Sequence, residues 1–213
     1  AGLAGRPTTA DGKQMQPLEI AGVKVMSMGF LVEEETPMIW RGPMVQSALQ
    51  QMLGDVAWGE LDVLVVDMPP GTGDAQLTMA QRVPLAGAVI ISTPQDIALL
   101  DARKAINMFG RVDVPILGIV ENMSYFCCPN CGHRAEIFAH GGARTCAQTY
   151  DVDFLAEIPL DIAIRETSDG GRPIVVSQAD GALAEAYMGL ARTVRDKLSG
   201  PSATKPFPKI TYA

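Results

Sequence analysis

One stretch constrains this chain more than any other: Leu61-Asp-Val-Leu-Val-Val-Asp67-Met-Pro-Pro-Gly-Thr-Gly-Asp74. The apolar, β-branched run at 63–66 predicts a strand buried on both faces. It ends in a carboxylate, Asp67, and two prolines and two glycines then force a sharp turn. Residues 74–82 read as a helix with Asp74 as its N-cap. An acid at the C-terminal end of such a strand lies where open α/β sheets bind ligands. The glycines behind it allow backbone N–H groups to approach a phosphate closely. The plainer alternative is an ordinary strand-turn-helix with a capping aspartate.

The rest of the chain alternates strands and helices. Short apolar runs predict strands at 23–28, 86–93, 115–120 (ending in Glu121-Asn122) and 153–158. Residues 1–20, rich in Gly, Thr and Pro, read as loop, and 31–40 as an acidic loop. Pro43 suits the first turn of a helix that Gly54 ends. Asp96 opens a helix with Leu99, Ala102, Ile106 and Phe109 on one face. Gly141-Gly142 precedes a short helix, and 182–198 is the last helix. This order means an α/β fold with a doubly wound, mostly parallel sheet. One domain over 1–200 is expected, with a cysteine-bearing insertion at about 126–140 and a Pro-containing tail at 201–213.

Composition narrows the function. A net charge of −7 argues against general nucleic-acid binding, which needs a basic surface. No apolar run reaches the roughly 18 residues of a membrane span, and the first residues show no signal-peptide pattern. Neither nucleic acid nor membrane is therefore an expected partner. The four cysteines crowd between Cys127 and Cys146, which favours metal binding in a reducing, cytoplasmic setting over a disulfide framework. Cys128-Pro-Asn-Cys131-Gly places two thiols on one turn and is half a metal site, since zinc or iron–sulfur sites want four ligands. His133 or Cys146 of the same chain, or the same pair from a second subunit, are the possible completions. Cys127 falls outside the spacing, and His140 reads as a surface residue. A structural zinc turn and a redox pair are the alternatives for the C-x-x-C.

Several segments together resemble the Mrp/ApbC family, P-loop ATPases related to MinD and ParA that carry iron–sulfur clusters. They are Asp67-Met-Pro-Pro-Gly-Thr-Gly-Asp74, Met26-Ser-Met-Gly-Phe-Leu31, Trp40-Arg-Gly-Pro-Met-Val45, Thr93-Pro-Gln-Asp96, Gly118-Ile-Val-Glu-Asn-Met-Ser124, Cys128-Pro-Asn-Cys-Gly-His133 and Ile158-Pro-Leu-Asp161. The resemblance implies an ATP-dependent carrier or scaffold that transfers a [4Fe–4S] cluster to apo-proteins. The cluster would bridge a homodimer through Cys128 and Cys131, with Zn²⁺ as the alternative metal. It implies that Asp67 serves the Mg²⁺ shell of ATP and that Gly71, Thr72 and Gly73 sense the γ-phosphate. Asn122 resembles the adenine-reading residue, Pro159 and Asp161 flank the base, and Arg41 is a candidate for phosphate. Two other functions stay open. One is a MinD/ParA-type positioning ATPase, which the acidic pI and the Pro-rich tail disfavour. The other is a zinc-stapled dimerisation module without ATPase activity.

One motif is missing. No Gly-x-x-x-x-Gly-Lys-[Ser/Thr] occurs; the only Gly-Lys pair, Gly12-Lys13, is followed by Gln14. The chain is therefore expected to be a member lacking the family's N-terminal part, its first strands and phosphate loop included, and to be inactive alone as an ATPase.

Overall fold

In unit two, residues Ala80–Ala213, one long strand organises everything else. The computed structural model describes residues 3, 5–9, 14–31, 42–68, 76, 79–80 and 83–200. The chain divides into two compact units, Ala1–Met79 and Ala80–Ala213.

The smaller unit begins with an antiparallel hairpin of β1 (Leu18–Ile20) and β2 (Val23–Val25). Ala21 (φ 51) and Gly22 (φ 77) close it, and two left-handed residues in succession match the right-handed twist of the flanking strands. The loop expected over 1–20 thus gives way to a strand at its end; Ala-Gly is a weak turn signal, which hid the hairpin. Helix α1 (Gly42–Gly54) follows the Pro43 and Gly54 signals. The Trp58 indole Nε1–H donates to the Met52 carbonyl at 2.9 Å, and the Lys24 ammonium donates to the Trp58 carbonyl.

Residues 63–66 are not a strand. Val65 is 86% exposed and Val63 53%, and no described strand pairs with them. This corrects the sequence reading, and the reason is physical. Apolar, β-branched residues make a buried strand only where neighbours supply a hydrogen-bonding ladder on either side. Residues 76, 79 and 80 are helical, within the expected 74–82 helix; its cap, Asp74, lies outside the described residues.

The larger unit contains β3 (Ala88–Ser92), α2 (Asp96–Arg111), β4 (Ile116–Cys127), β5 (Arg134–Ala135), α3 (Gly142–Thr149), β6 (Phe154–Leu160), α4 (Ile162–Asp169), α5 (Ile174–Ser177) and α6 (Ala182–Leu198). The central strand β4 pairs in parallel with β3 (Ile90↔Ile119) and with β6 (Val120↔Ala156), and its far end pairs antiparallel with β5. Helix α2 buries Leu99, Ala102, Ile106 and Phe109, the face its periodicity predicts. They pack with Ile90, Val114, Ile119, Ala143, Cys146 and Ala147 into one core. Each large aliphatic side chain taken out of water there contributes about 1.5–3 kcal/mol. Gly118 (φ 149) lies so close to the Asp153 carbonyl that a Cβ would stand 2.5 Å from its oxygen. Among the described residues no helix is long and apolar enough to cross a membrane.

Candidate functional site

Strand β4 runs seven residues beyond the apolar run that predicts it, and those residues carry the site. Glu121 is fully buried. A charge in such a place needs full hydrogen bonding, and the fold supplies it. Oε1 accepts from the Ser124 hydroxyl at 2.6 Å and from the Gly141 N–H at 2.9 Å; Oε2 accepts from the Ala143 N–H at 2.8 Å. Gly141 stands at the N-cap of α3 with φ 77 and has no side chain to cap it. Glu121 therefore caps that helix from a neighbouring strand. Burial pushes the Glu121 pKa up, but the hydrogen bonds from Ser124, Gly141 and Ala143 outweigh it, and the net shift is downward.

Next along β4 come Asn122 and the kink. Asn122 is half-buried and aligned with Ile158 of β6. Met123 takes φ 54, and β4 bulges before Phe126 realigns with Leu160. Pro159 is the penultimate residue of β6. Asp161 is the N-cap of α4, its Oδ1 accepting from the Ala163 N–H at 2.7 Å. Asn122, within β4, is thus aligned with Ile158 just before Pro159, and Asp161 follows the end of β6, so the three lie near the C-terminal end of β6, the kind of sheet edge where such folds bind ligands. Asp67 belongs to the other unit, where it is exposed and outside any strand. Arg41, Gly71, Thr72 and Gly73 lie outside the described residues.

The cysteine turn closes the end of β4. The Cys128 N–H donates to the His133 carbonyl at 2.9 Å, and the Gly132 N–H to the Cys128 carbonyl at 2.8 Å. Gly132 takes φ 69, a left-handed position that glycine occupies without strain. Cys127 and Cys131 are exposed and Cys128 half-buried. The Cys128 thiol is more acidic than an ordinary cysteine, because the N–H groups of Asn130 and Cys131 and the Cys131 thiol hydrogen-bond its sulfur. Cys146 is buried in the core. Among the described residues no three or more His, Cys, Asp or Glu side chains gather as a metal site. Completion by Cys146 is therefore set aside.

The sequence reading missed the clamp on Glu121 and the place of His140. His140 is half-buried, with Nδ1 3.0 Å from the Ser124 Oγ and 3.5 Å from Glu121 Oε1, and Nε2 3.9 Å from Glu157. Arg144 holds Glu157 at 2.8 Å. The signal was present in the glycine pair after His140, a helix start that offers no capping side chain of its own.

A parallel sheet with ligand-type residues at its C-terminal edge defines an α/β protein of the nucleotide-binding kind. The fold superposes on a nucleotide-binding protein from Archaeoglobus fulgidus, solved with ADP, at TM-score 0.64 and 36% identity, over 95% of this chain and 70% of that one. It also superposes on the cell division ATPase MinD of Pyrococcus furiosus at TM-score 0.52 and 22% identity, over 73% of this chain and 59% of that one, a likeness of fold. The ParA-group family described as NUBPL iron-transfer P-loop NTPase matches residues 1–195, and the chain belongs to that family.

Its relatives include the iron-sulfur cluster transfer protein NUBPL of Dictyostelium discoideum, 54% identical over 193 residues, covering 91% of this chain and 60% of the relative. The protein of the same name from Mus musculus is 54% identical over 196 residues, covering 92% and 61%. The iron-sulfur cluster carrier protein of Pseudomonas fragi is 52% identical over 188 residues, covering 88% and 66%. The chain thus spans about 60% of the length of the first two relatives.

Proposed function

We propose that the chain is the cluster-bearing part of an iron–sulfur carrier, which holds a [4Fe–4S] cluster between two copies of itself and hands it to apo-proteins. One observation carries this reading. Cys128 and Cys131 stand on one turn near the surface with the first thiol acidified, and among the described residues no third ligand joins them. Two soft donors make an open, weak site; two copies of the turn about a two-fold axis supply four. The cluster is cargo, so a position at the dimer axis suits release to a client. The names of the relatives support cluster transfer as the task, and the reduced thiols suit a cytoplasmic setting.

The nucleotide part of the reading is ATP with Mg²⁺. Asn122, Pro159 and Asp161 suit the base side, being polar or rigid groups at a sheet edge. Asp67 is the candidate for the Mg²⁺ shell, Gly71, Thr72 and Gly73 for the γ-phosphate, and Arg41 for phosphate. The sequence has no Gly-x-x-x-x-Gly-Lys loop to cradle the phosphates, so these residues alone are not expected to hydrolyse ATP.

Anaerobic reconstitution with iron and sulfide tests the proposal. About one [4Fe–4S] cluster per dimer is expected, and Cys128→Ala abolishes both the cluster and the cluster-dependent dimer, while Cys127→Ala and Cys146→Ala keep both. A full-occupancy cluster on a strict monomer overturns it. A colourless protein holding zinc alone under the same conditions gives the zinc-stapled dimer instead.

A further inference from the structure

The loop that bears the two thiols is pinned at its base by a chain of polar groups that the cluster chemistry itself does not need. Cys127 pairs with Arg134 across the β4–β5 ladder, so Arg134 closes the loop on its return side. The Arg134 guanidinium lies over the Tyr125 ring, 3.9 Å from its centroid. Its NH2 group is also 3.4 Å from His140 Nε2.

Donor and acceptor roles select one tautomer of the neutral imidazole. Guanidinium has only donors, so the contact with Arg134 uses Nε2 as acceptor and the ring N–H is on Nδ1. Nδ1–H then faces the Ser124 Oγ at 3.0 Å, and the Ser124 hydroxyl is left to donate to Glu121 Oε1 at 2.6 Å. All four groups are satisfied by this single assignment. The chain runs from an exposed arginine beside the cysteines to a fully buried carboxylate that caps helix α3. Glu157, the other carboxylate near His140, is already engaged by Arg144.

We infer that His140 is a positioning residue for the cysteine turn: linking Arg134 to Ser124 and Glu121, it holds the Cys128–Cys131 loop against the sheet so that both thiolates face one metal. The inference rests on the reading of Cys128 and Cys131 as ligands. It assigns no ligand role to His140, which acts through Arg134. Groups that orient metal ligands from behind commonly matter 10–100-fold in affinity.

Cobalt(II) is the probe, titrated anaerobically into the full chain and read by its thiolate-to-metal charge-transfer band. His140→Ala and Arg134→Ala are each expected to weaken binding about tenfold. The double variant loses no more than either single one, because both break the same link. His140→Gln, whose amide both accepts and donates, restores most of the affinity. Arg134 is exposed, so Arg134→Ala leaves the urea midpoint unchanged and separates positioning from folding even where His140→Ala is poorly folded. Binding by Arg134→Ala and His140→Gln within about twofold of an unaltered chain in the first case, or no rescue in the second, overturns the inference. Losses that simply add in the double variant also overturn it. Cys128→Ala is the separate control: a full-strength band in that variant, or none in the unaltered chain, defeats the ligand reading and this inference with it.

Discussion

The Glu121 Oε2 accepts the Ala143 N–H at 2.8 Å, so the strand that leads to Asn122 also caps the helix that begins at Gly142. Truncating the side chain strands two backbone donors and a buried hydroxyl. Glu121→Ala is expected to destabilise the fold by about 1–3 kcal/mol for each donor that water does not reach. Urea unfolding measures it, and an unchanged midpoint argues that the clamp carries no stability.

The same carboxylate sets a pH dependence. Its pKa lies below the ordinary value of 4.5, with the hydrogen bonds from Ser124, Gly141 and Ala143 overcoming burial. Its ionised form therefore contributes stability that is fully present above that ordinary value and is lost as pH falls through the lower folded one. Comparison of unfolding midpoints with Glu121→Gln across the acid range should show the advantage of the unaltered chain shrinking only on the acid side. An advantage that stays constant as pH falls contradicts the assignment.

Backbone proximity gives a third expectation. A Cβ on residue 118 meets the Asp153 carbonyl at 2.5 Å and the Leu155 side chain at 2.6 Å, with φ at 149. Gly118→Ala must shift β4 away from the segment that enters β6, at a cost of about 1–3 kcal/mol or more. Thermal unfolding reads this directly.

The thiols should differ in reactivity. Hydrogen bonds from Asn130 and Cys131 lower the Cys128 pKa, so its thiolate persists to lower pH. Cys146 is closed inside the core. Iodoacetamide followed by mass spectrometry should label Cys128 well before Cys146, which becomes reactive only with unfolding. Equal rates in the folded protein count against the described burial.

Phosphate release from ATP by this chain is expected at blank level, because loss of even one preorganised donor can cost about 10²–10³ in rate and the whole Gly-x-x-x-x-Gly-Lys loop is absent from the sequence. Steady turnover that disappears in Asp67→Ala refutes this.

Local patterns were legible wherever local forces decide. Helix α2 buries the four residues its spacing singles out, since an amphipathic face needs only one core to lie against. Asp161 is an N-cap, as a polar residue before a helix ordinarily is. Non-local arrangements were not legible. Nothing near Glu121 in the sequence announces that donors some twenty positions later fold back on it, so the strand reads as ending at Val120 instead of Cys127. Residues 63–66 fail for the converse reason: their composition states a preference for a strand, but pairing partners are a property of the whole sheet.

That bare apolar segment has a consequence for handling the protein. Val63, Leu64 and Val65 present side chains to solvent on backbone outside any ladder, the kind of template on which a second chain can add a strand. Association of this chain in solution then has two chemically separable sources. One dissolves on adding a chelator, and the other survives the chelator but yields to a charge placed by Val65→Lys. Oligomer sizes measured without both treatments mix the two.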